Sequence, residues 1–274
     1  MSTLFLVATP IGNLEDMSPR ALRVLRESKL IAAEDTRHTG ILLKRFEIQT
    51  PLTSYFEHNK LHKLDAILAA LADGDVALVS DAGTPAINDP GYELVRAALA
   101  SGFDIRPVPG PSAPVAALSV SGLPTDAFTY LGYLPHKPSE RRKFVVQIAN
   151  LHHTLIFLES PHRIIDSLED LLAILGDRPI CVAREMTKLF EEYWRGPLSG
   201  ALEYFKSREV RGEFTLVVAG NQTVDSGRWT EEELLAAIKR ELENSKSAKE
   251  ISSELAEQSG WNKKEVYAFV NQAK

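Results

Sequence analysis

Cysteine is nearly absent from this chain of 274 residues, which contains only Cys181. A single cysteine excludes an internal disulfide and any zinc site built on several cysteines. Cys181 lies in the apolar run 179–183, which predicts a small buried thiol rather than a reactive one. No apolar run approaches the roughly 20 residues of a membrane span, and the first residues lack the basic segment of a signal peptide. We therefore expect a cytoplasmic protein with no membrane association.

Basic residues are outnumbered by acidic ones, and the formal net charge is −6. This balance argues against a protein that coats nucleic acid over its whole surface, although a local basic patch is still compatible with it. The run 137–143 carries four basic residues and one acid. Such a run is typical of a solvated helix face, and it is also a candidate for phosphate contact.

Short apolar runs alternate with helical segments over the first 121 residues. The runs are 4–8, 30–33, 76–79 and 103–108. Strands separated by helices of this length predict a parallel, doubly wound sheet. A second α/β pattern follows the linker 122–125, and three short helices end the chain, the last two resembling a helix-turn-helix. We therefore predict an α/β fold with two α/β domains, 1–121 and 122–224, and a C-terminal helical domain, 228–274.

Polar loops follow the predicted strands of the first domain. They are 9–10, 34–35, 81–85 and 109–112. Ligands of such sheets bind beyond the carboxyl ends of the strands, so we expect these loops to share one cleft.

The loop 81–91 contains two glycines, two prolines and two acids. Gly83 allows a ligand to approach the backbone, and the prolines keep the turn rigid. The alternative is a plain strand-to-helix turn with a helix cap at Asp89. The turn 109–113 offers backbone NH groups at a helix start, with Ser112 as the expected cap. Neither a dinucleotide fingerprint nor a phosphate-binding P-loop pattern is present.

The segment 34–39 places ionisable side chains directly after an apolar strand. Glu34, Asp35 and His38 are candidate proton acceptors, and Arg37 suits a phosphate. The start of a helix, where negative charge is favourable, explains the two acids equally well, but it does not explain Arg37 and His38. The clusters 159–163 and 184–188 also follow strands, which favours a place at the mouth of the same cleft. The alternative is a purely structural role, as a helix cap for the first cluster and as a salt-bridged turn for the second. We predict no metal site, because His152 and His153 have no further ligand at a suitable spacing.

Taken in order, several motifs resemble those of the tetrapyrrole-methylase superfamily, and within it the branch that methylates ribosomal RNA. They are 7–14, 32–39, 80–91, 109–113, 159–163 and 183–188. The resemblance covers roughly residues 4–220, and the terminal helices resemble the C-terminal domain of that branch. It implies a homodimer that binds S-adenosylmethionine in a cleft between two α/β domains.

The resemblance further implies 2′-O-methylation of a cytidine in the decoding region of 16S rRNA, on the assembled small ribosomal subunit. The cofactor contacts it implies are Pro10, Asp81, Ala82, Gly83, Pro85, Ile87, Ser112, Ala113, Leu158, Val182 and Ala183. The catalytic candidates are Glu34, Asp35 and His38. The expected RNA contacts are Arg37, Lys137, Arg141, Arg142, Arg163 and Lys188.

Two other functions stay open at this point. One is a methyltransferase of the same fold that acts on a tetrapyrrole precursor or on the modified histidine of an elongation factor. The other is a non-catalytic RNA-binding protein that uses the helix-turn-helix. The basic run 137–143 and the terminal helices favour an RNA substrate over a tetrapyrrole.

Overall fold

A computed structural model describes residues 2–56, 60–221, 229–243 and 247–273. Contacts divide the chain into two compact units, Met1–Gly220 and Asn221–Lys274. Within the described residues, no helix combines the length and the apolar character that a membrane crossing requires. The predicted boundary between the second and third domains, at residues 224–228, lies outside the described residues.

The first sheet is parallel, as its alternating pattern predicts, with the strand order β3-β2-β4-β1-β5. Its strands are β1 (Thr3–Val7), β2 (Leu30–Ala33), β3 (Leu52–Ser54), β4 (Val76–Val79) and β5 (Asp104–Val108). Its helices are α1 (Pro19–Glu27), α2 (Thr36–Arg45), α3 (Lys60–Asp73), α4 (Tyr92–Ala100) and α5 (Ala113–Ser121). The central strand β4 is buried along its whole length, as a continuous apolar run predicts for a strand covered on both faces. Sequence analysis missed β3, because three half-buried residues after a proline form no apolar run.

The second sheet is mixed, with the order β6-β7-β10-β8-β9, and β10 runs antiparallel to both of its neighbours. Its strands are β6 (Phe128–Tyr133), β7 (Thr154–Glu159), β8 (Pro179–Arg184), β9 (Glu192–Pro197) and β10 (Phe214–Val218). The helices α6 (Pro138–Ile148), α7 (Ile164–Leu175) and α8 (Leu198–Lys206) cover one face. Strand β9 was missed, since its polar sequence shows no buried alternation.

Helix α5 joins the two sheets. Its buried residues Ala117 and Leu118 pack against Ile156, Cys181 and Val217 of the second sheet. The free thiol of Cys181 is buried, as predicted, and burial raises its pKa. The helix that ends the first domain in sequence therefore covers the second sheet, and the cleft lies beside this helix.

The C-terminal unit consists of the helices α9 (Glu231–Glu243), α10 (Ala248–Ser259) and α11 (Lys263–Gln272), as the sequence predicts. Capping boxes begin α10 at Ser247 and α11 at Asn262; each satisfies two otherwise unpaired backbone donors. Ile238, Ile251 and Val266 are buried in its own small core.

Candidate active site

The loop 80–91 leaves β4 at the carboxyl edge of the first sheet. Thr9 and Gly83 exchange two backbone hydrogen bonds, of 2.9 and 3.0 Å, which fix the loop to the end of β1. Ala86 and Asn88 both have positive φ angles, 66° and 63°. Such backbone conformations cost of order 1 kcal/mol or more for a residue with a side chain, and they concentrate at functional sites. The loop is therefore a constrained structure rather than a plain turn.

The alternative interpretation of this loop, a plain turn with a helix cap at Asp89, does not hold. Helix α4 begins at Tyr92 after the N-cap Gly91, which has a φ of 155° and no capping side chain. A Cβ at Gly91 would lie only 2.7 Å from the Cβ of Ala86, so the close return of the loop requires glycine there. Asp89 instead interacts with the hydroxyl of Ser80 and is partly buried, and this burial raises its pKa.

The turn 109–113 closes the next side of the site. The Thr84 hydroxyl donates to the carbonyl oxygen of Pro111 at 3.3 Å, which joins this turn to the loop 80–91. Ser112 is the N-cap residue of α5, yet its side chain makes no capping hydrogen bond, contrary to the sequence expectation. The residue lines a cavity instead, where its hydroxyl can serve a ligand.

A cavity of about 250 Å³ lies between the carboxyl edge of the first sheet and the second sheet. We call it the first cavity. Many of the predicted cofactor contacts line it. These are Asp81, Ala82, Gly83, Ile87, Ser112, Ala113 and Leu158, and the catalytic candidate Glu34 joins them.

The other predicted cofactor contacts do not line this cavity. Pro85 is buried within the loop. Val182 points into the core on the far face of the second sheet, and Ala183 packs in the cluster around α5. Two tyrosines of β6, Tyr130 and Tyr133, line the cavity but were missed, because an exposed edge strand gives no sequence signal for a ligand.

Acidic side chains dominate the charge of the first cavity. Glu34 accepts a hydrogen bond from the backbone NH of Asp81 at 3.4 Å. Its burial, together with the negative charges of Asp89 and Asp81, raises the pKa of Glu34. A carboxylate whose charge is disfavoured in this way gains from a positively charged ligand. The first cavity is therefore suited to a cation.

Asp35 differs from its neighbour Glu34. Its carboxylate accepts hydrogen bonds from the backbone NH and the guanidinium of Arg37, at 2.8 Å and 2.6 Å. These bonds hold the pKa of Asp35 well below its usual range. Asp35 is the N-cap of α2, and it is a weak proton acceptor because its charged form is already stabilised.

A second cavity, of about 230 Å³, lies beside the first, and Ile11, Asp81, Ala82 and Glu213 line both. Its other walls include Pro10, Leu14, His38, Thr39, Ile41, Leu42 and Lys188. Nδ1 of His38 lies 3.8 Å from an Asp81 carboxylate oxygen. The predicted residues Pro10, His38 and Lys188 thus meet here rather than in the first cavity.

Lys188 lies between two carboxylates, with Nζ 2.9 Å from oxygens of both Glu185 and Glu213. Burial lowers the pKa of Lys188, but its hydrogen bonds to Glu213 and Glu185 raise it more, so the net shift is upward. The ammonium group is therefore charged at neutral pH and cannot act as a base. Gly12 packs directly on this side chain, since a Cβ there would lie 2.5 Å from Lys188 Cγ.

Of the arginines predicted to contact RNA, Arg141 is buried and Arg163 is partly buried. The side chain of Arg141 is 3% exposed and its Nε lies 2.7 Å from Asp170. Arg163 pairs with the fully buried Glu159 at 2.6 Å and donates to the carbonyl oxygen of Leu134. The burial of Arg141 contradicts its predicted RNA contact, and both guanidinium groups hold the second sheet and its helices together.

Apart from Lys188, the remaining predicted RNA contacts lie at the surface. Lys137 pairs with Glu140 at 3.1 Å, and Arg142 lies 3.5 Å from Asp170. Glu140 and Asp170 thus offset part of the positive charge of the basic run 137–143. Arg37 is 89% exposed beside Asp35.

Comparison with known proteins shows what this chain is similar to. The family model for Tetrapyrrole (Corrin/Porphyrin) Methylases matches residues 3–201. A ribosomal RNA small subunit methyltransferase I from Synechocystis sp. is 44% identical over 269 residues, which cover 97% of this chain and 96% of the relative. The protein of that name from Thermotoga maritima is 45% identical over 223 residues, 81% of this chain and 100% of the relative.

Solved structures show the same fold. A uroporphyrin-III C-methyl transferase from Thermus thermophilus, complexed with S-adenyl homocysteine, matches with a TM-score of 0.55 and 20% identity. The match covers 80% of this chain and 97% of the other. The predicted fold class, two α/β domains with a cleft between them and terminal helices, is confirmed.

Proposed function

Because the chain belongs to the tetrapyrrole methylase family, and within it to the ribosomal RNA small subunit methyltransferase I proteins, we propose that it methylates ribosomal RNA with S-adenosylmethionine. The methyl acceptor that we propose is the 2′-hydroxyl of a cytidine ribose in the decoding region of 16S rRNA. The observation that carries the proposal is the pair of adjoining cavities, one acidic and one partly apolar, that share Asp81 and Ala82.

The residues of the first cavity fit S-adenosylmethionine. The carboxylates of Glu34 and Asp89, whose pKa values are raised, are stabilised by a sulfonium or ammonium charge. Apolar side chains, among them Ile87 and Leu158, provide walls for an adenine ring. The Ser112 hydroxyl and the backbone of the loop 81–85 offer hydrogen bonds.

When bound, the cofactor would supply a methyl group carried on a positively charged sulfonium sulfur. After transfer of the methyl group, the leaving group is a neutral thioether. The protein aligns the acceptor oxygen with the methyl carbon and the sulfur, and this alignment supplies much of the rate. Asp81 lies in the wall common to both cavities. In that place it positions the cofactor and the acceptor nucleotide relative to each other. Glu34 takes the hydroxyl proton as the C–O bond forms, and its raised pKa places it nearer neutral pH, where a general base works best. His38 is the alternative acceptor from the second cavity, and Asp35 supports both by holding the start of α2.

Family membership supports further proposals on the biological context. We propose that the protein is a cytoplasmic homodimer whose substrate is the assembled small ribosomal subunit. We also propose the domain division 1–121, 122–224 and 228–274. The Thermotoga relative aligns over its whole length with 81% of this chain.

A substrate comparison tests the proposed function. The protein is incubated with S-adenosylmethionine labelled in the methyl group, together with naked 16S rRNA, assembled small subunits or a tetrapyrrole. We expect label in the RNA of the assembled subunit, recovered as 2′-O-methylcytidine after digestion. Label in the tetrapyrrole alone would contradict the proposal. If calorimetry detected no binding of S-adenosylmethionine, the non-catalytic RNA-binding alternative would be favoured instead.

A further inference from the structure

The outer face of α2 is basic. Arg37, His38, Ile41, Lys44 and Arg45 are exposed, and their spacing of i, i+1, i+4, i+7 and i+8 places them on one side of the helix. Helix α2 itself contains no acidic residue. We call these five side chains the α2 face.

Helix stability alone does not explain this charge pattern. Lys44 and Arg45 at the C-terminal end suit the helix dipole, but Arg37 and His38 lie at the N-terminal end, where positive charge is unfavourable. Ile41 is 70% exposed in the middle of the face, although solvent favours a polar side chain there. A partner that is anionic and has flat apolar groups explains both the positive charge at the helix start and the exposed Ile41.

The basic run on α6 has a different environment. Asp170 approaches both Arg141 and Arg142, and Glu140 pairs with Lys137. Over the ranges that the structure describes, no such ion pair involves Lys44 or Arg45. Lys44 and Arg45 therefore keep their charge for an external anion, whereas Lys137, Arg141 and Arg142 are each paired with an acid.

Helix α2 also forms a wall of the second cavity, to which His38, Thr39, Ile41 and Leu42 contribute. That cavity shares Asp81 and Ala82 with the first cavity. A group that enters beneath α2 thus comes to rest next to the cavity proposed for the methyl donor. The α2 face and the site of chemistry are continuous.

We infer that α2 is the RNA-docking helix, and that it directs the acceptor nucleotide into the second cavity. This inference rests on the proposed function. Arg37, Lys44 and Arg45 bind phosphates on either side of the acceptor. The acceptor nucleotide leaves its stack, as enzymes that modify single nucleotides in folded RNA commonly require. Ile41 and Leu42 contact its base.

The dimensions of the helix agree with this role. From Arg37 to Arg45 the helix axis rises roughly 12 Å, which is enough to contact more than one phosphate of a strand. Phosphate contacts fix the register of a nucleic acid without reading its sequence. Selection of the cytidine then depends on the second cavity, and the α2 face supplies affinity.

The test removes two charges that lie away from the cofactor, in the double variant Lys44→Gln/Arg45→Gln. Binding of the full-length protein to small subunits is measured over a range of salt concentrations. We expect affinity about tenfold weaker at 0.1 M salt and a salt-dependence slope smaller by about 1 to 1.5. KM for the subunit rises by a similar factor, while kcat at saturating subunit and the calorimetric affinity for S-adenosylmethionine stay within twofold.

The comparison variant is Arg142→Gln/Lys143→Gln on α6, which makes the same change of charge in adjacent exposed residues. We expect it to bind small subunits within about threefold of the wild type. Unchanged binding of the α2 variant, or an equal loss in both variants, would overturn the docking role of α2. These outcomes are distinct from failure of the proposed function, in which the wild-type protein itself does not methylate the subunit.

Discussion

Replacing Ala82 with tryptophan is expected to abolish S-adenosylmethionine binding. Ala82 is exposed and lines both cavities, so an indole at this position occupies the space proposed for the cofactor and restricts the acceptor beside it. We expect the affinity measured by calorimetry to fall by at least about 100-fold, which corresponds to about 2.8 kcal/mol. Methyl transfer to small subunits falls at least as far.

The control is Ala100→Trp, which places the same side chain at an exposed alanine near the end of α4. It should bind the cofactor normally. Both variants should unfold at temperatures near that of the wild type, because neither alanine is buried in a core. Tight cofactor binding by a well-folded Ala82→Trp variant would show that the cofactor binds elsewhere.

Glu34→Gln is expected to reduce kcat for methyl transfer by about 100-fold or more, the effect of losing a general base. Glutamine has nearly the same shape and still lines the first cavity, but it cannot accept the proton. The affinity for S-adenosylmethionine should fall less, by about tenfold, since Asp89 and Asp81 still provide negative charge. S-adenosylhomocysteine lacks the sulfonium charge, so its affinity should change least.

The neighbouring variant Asp35→Asn separates the two acids. Asparagine caps a helix about as well as aspartate, and Asp35 is already held in its charged form by Arg37. We therefore expect kcat within about threefold of the wild type. If Asp35→Asn were as damaging as Glu34→Gln, or if Glu34→Gln were fully active and His38→Ala inactive, the assignment of the base to Glu34 would be wrong.

The pH dependence follows from the raised pKa of Glu34. A base must be deprotonated, so kcat/KM should increase with pH through the pKa of Glu34 in the free enzyme. The positive charge of the bound sulfonium favours the charged form of Glu34 and so lowers its pKa in the complex. The increase of kcat with pH should therefore lie at lower pH than the increase of kcat/KM. In Glu34→Gln, kcat/KM should increase less with pH. The increase that remains comes from deprotonation of Asp89, whose pKa is also raised.

The inner strands of the first sheet, β1, β2 and β4, were predictable from sequence because they are largely buried. A run such as 76–79 has few other interpretations when glycines and helices surround it. The strands β3 and β9 were not predictable, since they lie at sheet edges and carry polar residues whose pairing depends on the rest of the fold. The mixed direction of the second sheet likewise depends on tertiary packing.

The site was predictable to the extent that it is built from loops at strand ends. Asp81, Gly83 and Ser112 line one cavity because the parallel sheet brings their loops together. Sequence alone did not separate Glu34 from Asp35, because the difference lies in hydrogen bonds and burial. It also placed Arg141 at an RNA surface, because the partner Asp170 is 29 residues away in the chain.

The most direct test of the central claim is a crystal structure of the protein with S-adenosylhomocysteine. We expect the ligand in the first cavity, against the loop 81–87 and Ser112, with its sulfur directed towards Asp81 and the second cavity. A ligand bound elsewhere, or in the first cavity with its sulfur directed away from the second, would contradict this expectation.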